Sequence, residues 1–204
     1  MDATGTLPEA LATALLEAYH HGATNEQWTA WRRDPRARAR VLALRAASRH
    51  GAMDDDAWRD ATHDLDPLVR REACLALARG SDDEPASFAA LATDADPLVR
   101  EAALFAAGER QWVHLREVAE TRAASDEDLR VRESAVVALG QFAHPDSVPV
   151  LLAALQDKAT VRRRTIVALA AFDDPAVEAA LDEAADDRDW QTRDAVARLR
   201  REDF

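Results

Sequence analysis

One cysteine, Cys74, stands in a chain of 204 residues, so no disulfide can form within it, and a reducing intracellular compartment is the simpler expectation. Lysine is almost missing: Lys158 is the sole one, and nearly every cation is arginine. Glycine and proline are scarce at 6 and 8, aromatics make up 5%, and Tyr19 is the one tyrosine, which leaves little to build turn-dense or aromatic-rich strands. Positive charge is in deficit, 26 basic against 38 acidic residues for a net charge of −12, which favours solubility and argues against default attraction to phosphate or anionic lipid. The first residues, MDATGTLPEALATALLEAYHHG, carry acids and no basic n-region, and their apolar residues are spaced. They read as neither a signal peptide nor a membrane span, and the expected location is cytoplasmic. The six histidines show no HxxxH or HExxH spacing, and only His114 with Glu117 offers a helical pairing. There is no glycine-rich phosphate loop, so neither metal nor cofactor is expected.

What is abundant is alanine, in a chain that is 48% apolar, and this composition favours helix. An internal repeat gives the helices their order. The pentapeptide DPLVR occurs at 66–70 and again at 96–100. Aligning on its arginine collects DPRARARVLAL, DPLVRREACLAL, DPLVREAALFAA, DLRVRESAVVAL, KATVRRRTIVAL and DWQTRDAVARL. Their arginines are Arg38, Arg70, Arg100, Arg132, Arg162 and Arg193, at intervals of 32, 30, 32, 30 and 31. Apolar residues recur one before each arginine and at four, seven and eight residues beyond that position, one broad face of an α-helix. A second short amphipathic helix precedes each, with Trp58, Phe88, Val150 and Leu181 twelve residues ahead of the arginine in repeats two, three, five and six.

The unit is therefore helix A, tight turn, helix B, over approximately 24–51, 54–81, 84–110, 111–144, 145–174 and 175–204. An N-terminal capping helix at 8–22 is opened by Thr6 and Pro8 and stopped by Gly22. Asp66 and Asp96 read as N-caps, and Pro67 and Pro97 stand at first helical positions, where a missing N–H costs nothing. In this register Arg45 and Arg200 occupy the place filled by Leu77, Leu139 and Leu169 inside the array, as polar end units would.

The D-x-x-V-R-x-x-A-x-x-A-L pattern over roughly residues 24–204 resembles the HEAT-repeat family, and the unit of about 30 residues is closest to the short HEAT-like repeats of the phycobilisome-lyase type. The resemblance implies an all-α solenoid, a right-handed superhelix of about six helical pairs in one domain spanning 1–204. It also implies a structural ladder in which Arg38, Arg70, Arg100, Arg132, Arg162 and Arg193 tie to Asp66, Asp96 and their counterparts, and B helices that line the concave side.

Two surfaces are candidates for binding. Four apart on the B helices lie Arg71 with Leu75, Glu101 with Phe105, Glu133 with Val137, and Arg163 with Val167. This stripe is either a groove for a peptide or helix, or the remainder of the inter-repeat core. The second candidate is the locally cationic WRRDPRARARVLALR, where Arg32, Arg33, Arg36 and Arg40 form a possible anion or acidic-partner patch. No residues assemble a nucleophile, a base and an oxyanion hole, so a non-catalytic scaffold or adaptor for another protein is the expected function.

Two other readings come only from resemblance. One is a nucleic-acid-binding or repair protein similar to HEAT-like alkylpurine DNA glycosylases, which use Trp and Asp in a concave groove. Against it stand acidic turns such as Asp54-Asp55-Asp56, and the alignment of Trp58 with core positions. The other is a lyase or chaperone for a prosthetic group. The HEAT-repeat deoxyhypusine hydroxylases hold iron through His-Glu dipeptides, and this sequence has none.

Overall fold

The structure is a computed structural model that describes residues 6–80 and 83–202. Among the described residues there are twelve α-helices, three short 3-10 segments and no strand. The chain forms two compact units, Met1–Ala103 and Leu104–Phe204, with the division falling inside one helix.

In the first unit, α1 (Glu9–His21) precedes three helix pairs. These are α2 (Asn25–Trp31) with α3 (Ala37–Arg49), α4 (Asp55–Thr62) with α5 (Pro67–Arg79), and a 3-10 turn (Ala89–Thr93) followed by α6 (Pro97–Glu109), whose second half belongs to the other unit. Helix α1 packs on α3, and α3 on α5, while α2 and α4 lie against the B helix of their own pair. The second unit continues with α7 (Arg116–Ser125) and α8 (Leu129–Phe142), α9 (Val148–Ala154) and α10 (Ala159–Leu169), and α11 (Pro175–Ala184) and α12 (Trp190–Glu202). Here α8, α10 and α12 form one layer, and α7, α9 and α11 the other. This is an all-α, HEAT-like solenoid architecture. The ends of the second and sixth expected repeats, residue 81 and residues 203–204, lie outside the described residues.

Local chemistry explains where the helices begin. Thr24 and Gln27 form a reciprocal capping box at α2, with Thr24 N donating to Gln27 Oε1 at 2.9 Å and Gln27 N to Thr24 Oγ1 at 3.3 Å. Asp54, Asp66, Asp128 and Asp174 each accept a first-turn N–H, while Pro67 and Pro175 fill first-turn positions that need no donor. Pro8 stands at the N-cap of α1, and Gly22 ends the segment with φ of 80°, a conformation that costs glycine little.

The first repeat departs from the expected register by two residues. Helix α3 begins at Ala37 as α5 begins at Pro67, so Arg40 stands where Arg70 does, and Arg38 is exposed. The shared letters DP at 34–35 and 66–67 suggested otherwise, but the packing decides. Ala39, Ala43, Ala46 and Ala47 are buried, as are Val69, Ala73, Ala76 and Leu77, whereas the expected register would bury Arg45 in the place of Leu77. Ala47 fills that place. Arg45 instead lies on the outer stripe and reaches the carboxylate of Glu72, so it is not the polar end-substitution expected of it. Two smaller corrections have similar causes. The third A element is only a 3-10 turn. In the fifth repeat Leu151 is fully buried where Val150 was expected, because the turn at Asp157–Lys158 is one residue shorter than its counterparts.

Gly140, in the interior of α8, marks a close approach to α10. A Cβ built there would lie 2.6 Å from Ala168 Cβ and 2.7 Å from Ala168 Cα. Alanine is the better helix former by about 1 kcal/mol. Even so, Gly140→Ala is expected to lower stability by about 1 kcal/mol, since overpacking at a backbone contact costs about 1–3 kcal/mol. A urea midpoint that falls with an unchanged slope is the measurement.

Candidate functional site

The turns before α5, α6, α8 and α12 each contain two aspartates, two residues apart, with separate duties. The one nearer the helix caps it: Asp66 Oδ1 accepts from Leu68 N at 2.9 Å and Asp96 Oδ1 from Leu98 N at 2.8 Å. The ladder runs through the acid two residues earlier. Arg70 Nε and Nη2 grip Asp94 at 2.7 and 2.9 Å, while its Nη1 donates to the Asp64 carbonyl at 2.6 Å. Arg40 grips Asp64 in the same way, with both bonds at 2.7 Å. In the second unit Arg132 grips Asp157 at 2.6 and 3.0 Å, and Arg162 grips Asp187 at 2.8 and 2.7 Å. Arg100 and Arg193 donate to the carbonyls of Asp94 and Asp187.

The ladder thus uses Arg40 in place of Arg38, and Asp64 and Asp94 in place of Asp66 and Asp96. The reason is geometric, since Asp66 and Asp96 are turned toward their own helix N-termini, whereas the acid two residues earlier faces the rung arginine of the preceding repeat. The arginine hydrogen bonds to Asp157 and Asp187 hold both carboxyls below the usual carboxylate range. At Asp94 burial pushes the other way and is outweighed by Arg70 and the Asp96 N–H.

The cationic segment of the first repeat is largely neutralised. Arg36 makes two bonds to Asp34, at 2.8 and 2.7 Å, and Arg40 belongs to the ladder. Arg32 lies between Asp54 and Asp60, and Arg33 is exposed. The four residues therefore do not form one free cationic patch. Cys74 is fully buried, and burial pushes its thiol up, so it lies with the core.

The B-helix stripe stands outside the core. Arg71, Leu75, Glu101, Glu133, Val137 and Arg163 are partly buried, and Phe105 and Val167 are exposed. In the second unit the structure brings Glu133, Arg163 and Val167 together with Arg164, Trp190 and Arg198 around a groove of about 500 Å³ between α8, α10 and α12. Val167 is 66% and Trp190 63% exposed. Arg163 is held by Gln191 at 2.5 Å and Asp189 at 3.2 Å, and Arg198 pairs with Asp194 at 2.6 Å. Arg164 is exposed and, among the described residues, pairs with no carboxylate. The Thr160 hydroxyl in the same groove is buried with no hydrogen-bond partner among the described residues, a state that favours an incoming polar group. Arg71 and Leu75 belong to the other unit and do not contribute to this groove.

Trp190 is the groove residue that the repeat pattern did not select. It occupies the first helical position, where the other copies have Ala37, Pro67, Pro97, Leu129 and Ala159. An aromatic side chain in a place with no core duty is the signal that could have found it.

The helical pairs and their Asp–Arg rungs give a HEAT-like repeat fold. Residues 85–165 match the family model described as HEAT repeats. None of the curated proteins matches the sequence. The crystal structure of the Escherichia coli protein YibA is similar over 94% of this chain and 74% of its own, at 17% identity and a TM-score of 0.65. An engineered protein is similar over 86% of this chain and 94% of its own, at 18% identity and a TM-score of 0.60. Human deoxyhypusine hydroxylase in complex with glycerol covers 96% of this chain at 20% identity with a TM-score of 0.41. At these identities the likeness concerns the fold. No helix among the described residues is long and apolar enough to cross a membrane.

Proposed function

We propose that the protein is a non-catalytic binding scaffold that captures an acidic, amphipathic segment of another protein in the groove of α8, α10 and α12. One observation carries this reading: Val167 and Trp190 are exposed side by side among Arg163, Arg164 and Arg198, in a chain whose net charge is −12. Exposed apolar surface rimmed by charge marks interaction sites, and aromatic and arginine side chains dominate their energetics. Trp190 and Val167 serve as the apolar floor, Arg164 and Arg198 meet carboxylates, and Thr160 takes a backbone group. Arg163, already fixed by Asp189 and Gln191, shapes the wall at little further entropic cost.

A photo-crosslinking residue at position 167, compared with one at the exposed Glu178 on α11, tests this in the native host. A discrete protein adduct is expected at 167 alone, and it should disappear in Trp190→Ala combined with Arg164→Glu. Equal labelling at both positions, or labelling that survives the double change, would remove the proposal. Duplex DNA binding that weakens steeply with salt and is lost in the same variant would put a nucleic-acid partner in its place.

A further inference from the structure

The first unit contains a partly open pocket with an apolar inner wall. Between α2, α3 and α4 lies a cavity of about 320 Å³. Its inner wall is apolar and buried: Trp28, Ala43, Leu44, Ala47, Ala61 and Val69. The cause is legible by superposing repeats. Ala47 corresponds to Leu77, and Ala61 to Leu91, and both leucines are buried at the next interface of the same unit. Two alanines therefore leave open what two leucines fill. Apolar surface left in such a pocket favours an apolar occupant.

The outer wall is polar and loosely joined. Arg32 stands where the following repeats place the small buried residues Thr62 and Ala92. Its Nη1 is 3.5 Å from Asp54 Oδ1 and its Nε 3.4 Å from Asp60 Oδ2, and Nε makes no hydrogen bond among the described residues. The neighbouring Arg40–Asp64 pair, with both bonds at 2.7 Å, is closed by comparison. Asp54 and Asp60 are well exposed, so the polar end faces solvent and the apolar end does not.

A cavity with an apolar interior and a mouth offering both a cation and carboxylates suits a small molecule that carries both charges next to an apolar body. Its volume is that of about ten water molecules in the liquid, enough for a leucine or an aromatic amino acid. We propose that this cavity binds a free apolar α-amino acid, its side chain against Trp28 and Leu44, its ammonium group at Asp60 and Asp54, and its carboxylate at Arg32. The complementary charges then replace two stretched ion pairs with direct ones, and the side chain takes the place of the missing leucines. This site is independent of the groove on α8, α10 and α12.

Calorimetric titration of the full chain with L-phenylalanine and L-leucine is the test, paired with thermal unfolding. One-to-one binding and a raised Tm are expected for at least one of them. L-alanine, N-acetyl-L-phenylalanine and L-phenylalaninamide should each bind at least about tenfold more weakly, since each lacks the apolar body or one charged contact. Ala61→Leu should abolish binding while keeping or raising Tm, and Asp60→Asn should weaken it about tenfold. If Ala61→Leu folds poorly, Ala47→Leu fills the opposite wall and serves the same purpose. The proposal fails if neither amino acid binds at millimolar concentration. It fails equally if the N-acetyl compound binds as well as the free amino acid, or if a folded, cavity-filled variant still binds.

Discussion

Asp187→Ala is expected to lower the free energy of unfolding of the second unit by about 1.5–3 kcal/mol, the range for hydrogen bonds to a charged group. Of the rung arginines Arg40, Arg70, Arg132 and Arg162, Arg162 is the most enclosed, with its side chain 5% exposed and that of Asp187 15%. Its Nε and Nη2 donate to the carboxylate, and its Nη1 to the Asp157 carbonyl at 2.9 Å. Without the carboxylate two donors lose their partner, on a cation that does not deprotonate. A companion variant, Arg162→Met with Asp187→Ala, should recover much of the loss, because replacing a whole buried pair by apolar groups is often neutral.

The same rung predicts a pH dependence. The Arg162 hydrogen bonds hold the Asp187 carboxyl below its unfolded value, so the stabilisation is complete above about pH 4 and is lost as pH falls through the lower, folded value. The difference between wild type and Asp187→Ala should therefore be constant at neutral pH and shrink in strong acid. Urea unfolding at several pH values measures both. A difference below 1 kcal/mol at pH 7 would mean that the rung is ornament to a fold held by apolar packing alone.

Phe88→Ala is expected to cost about 3–5 kcal/mol, the usual range for an aromatic truncated in a closed core. Phe88 is fully buried, and it anchors the shortest A element of the first unit. Where the other repeats have an α-helix, this one has the turn Ala89–Thr93, started by Phe88 N donating to the Pro85 carbonyl at 2.8 Å. So few residues offer little backbone cooperativity. Leu91 and Ala92 are the other buried residues of that turn, so the aromatic ring supplies most of its apolar anchorage. Amide exchange within 83–93 should accelerate more than exchange in α5, which has its own full-length core face. Uniform acceleration across the first unit would instead show that Phe88 supports the whole unit, not one segment.

Much of the fold was written in the repeat. The pattern placed Val69, Ala73, Ala76 and Leu77 in one buried face, and the structure buries all four. Trp58 and Phe88 were likewise read as core from their alignment, and both are buried. The first copy was misplaced because the identical letters DP outweighed the spacing of small residues, Ala39, Ala43, Ala46 and Ala47, which carries the packing. The ladder was recognised as a device, but its acid was not. Asp64 and Asp66 look alike in sequence, and only the direction of the chain between two helices decides which carboxylate faces its own helix and which faces its neighbour's arginine.

Helix, turn and buried face are local matters, fixed by residues within about two turns of one another, so the sequence by itself determined an all-α array of helical repeats and, outside the first copy, the side of each B helix that packs. Pairing and exposure are not local. Whether Arg32, Arg36 and Arg40 form a cationic patch depended on carboxylates at Asp34, Asp54, Asp60 and Asp64, in the segment's own turn and in the following repeat. Whether Val167 was core or surface depended on how far apart α8, α10 and α12 stand. The tertiary structure decided these, and with them where a ligand can enter, because an open groove or cavity is a property of the space between elements that no single helix encodes.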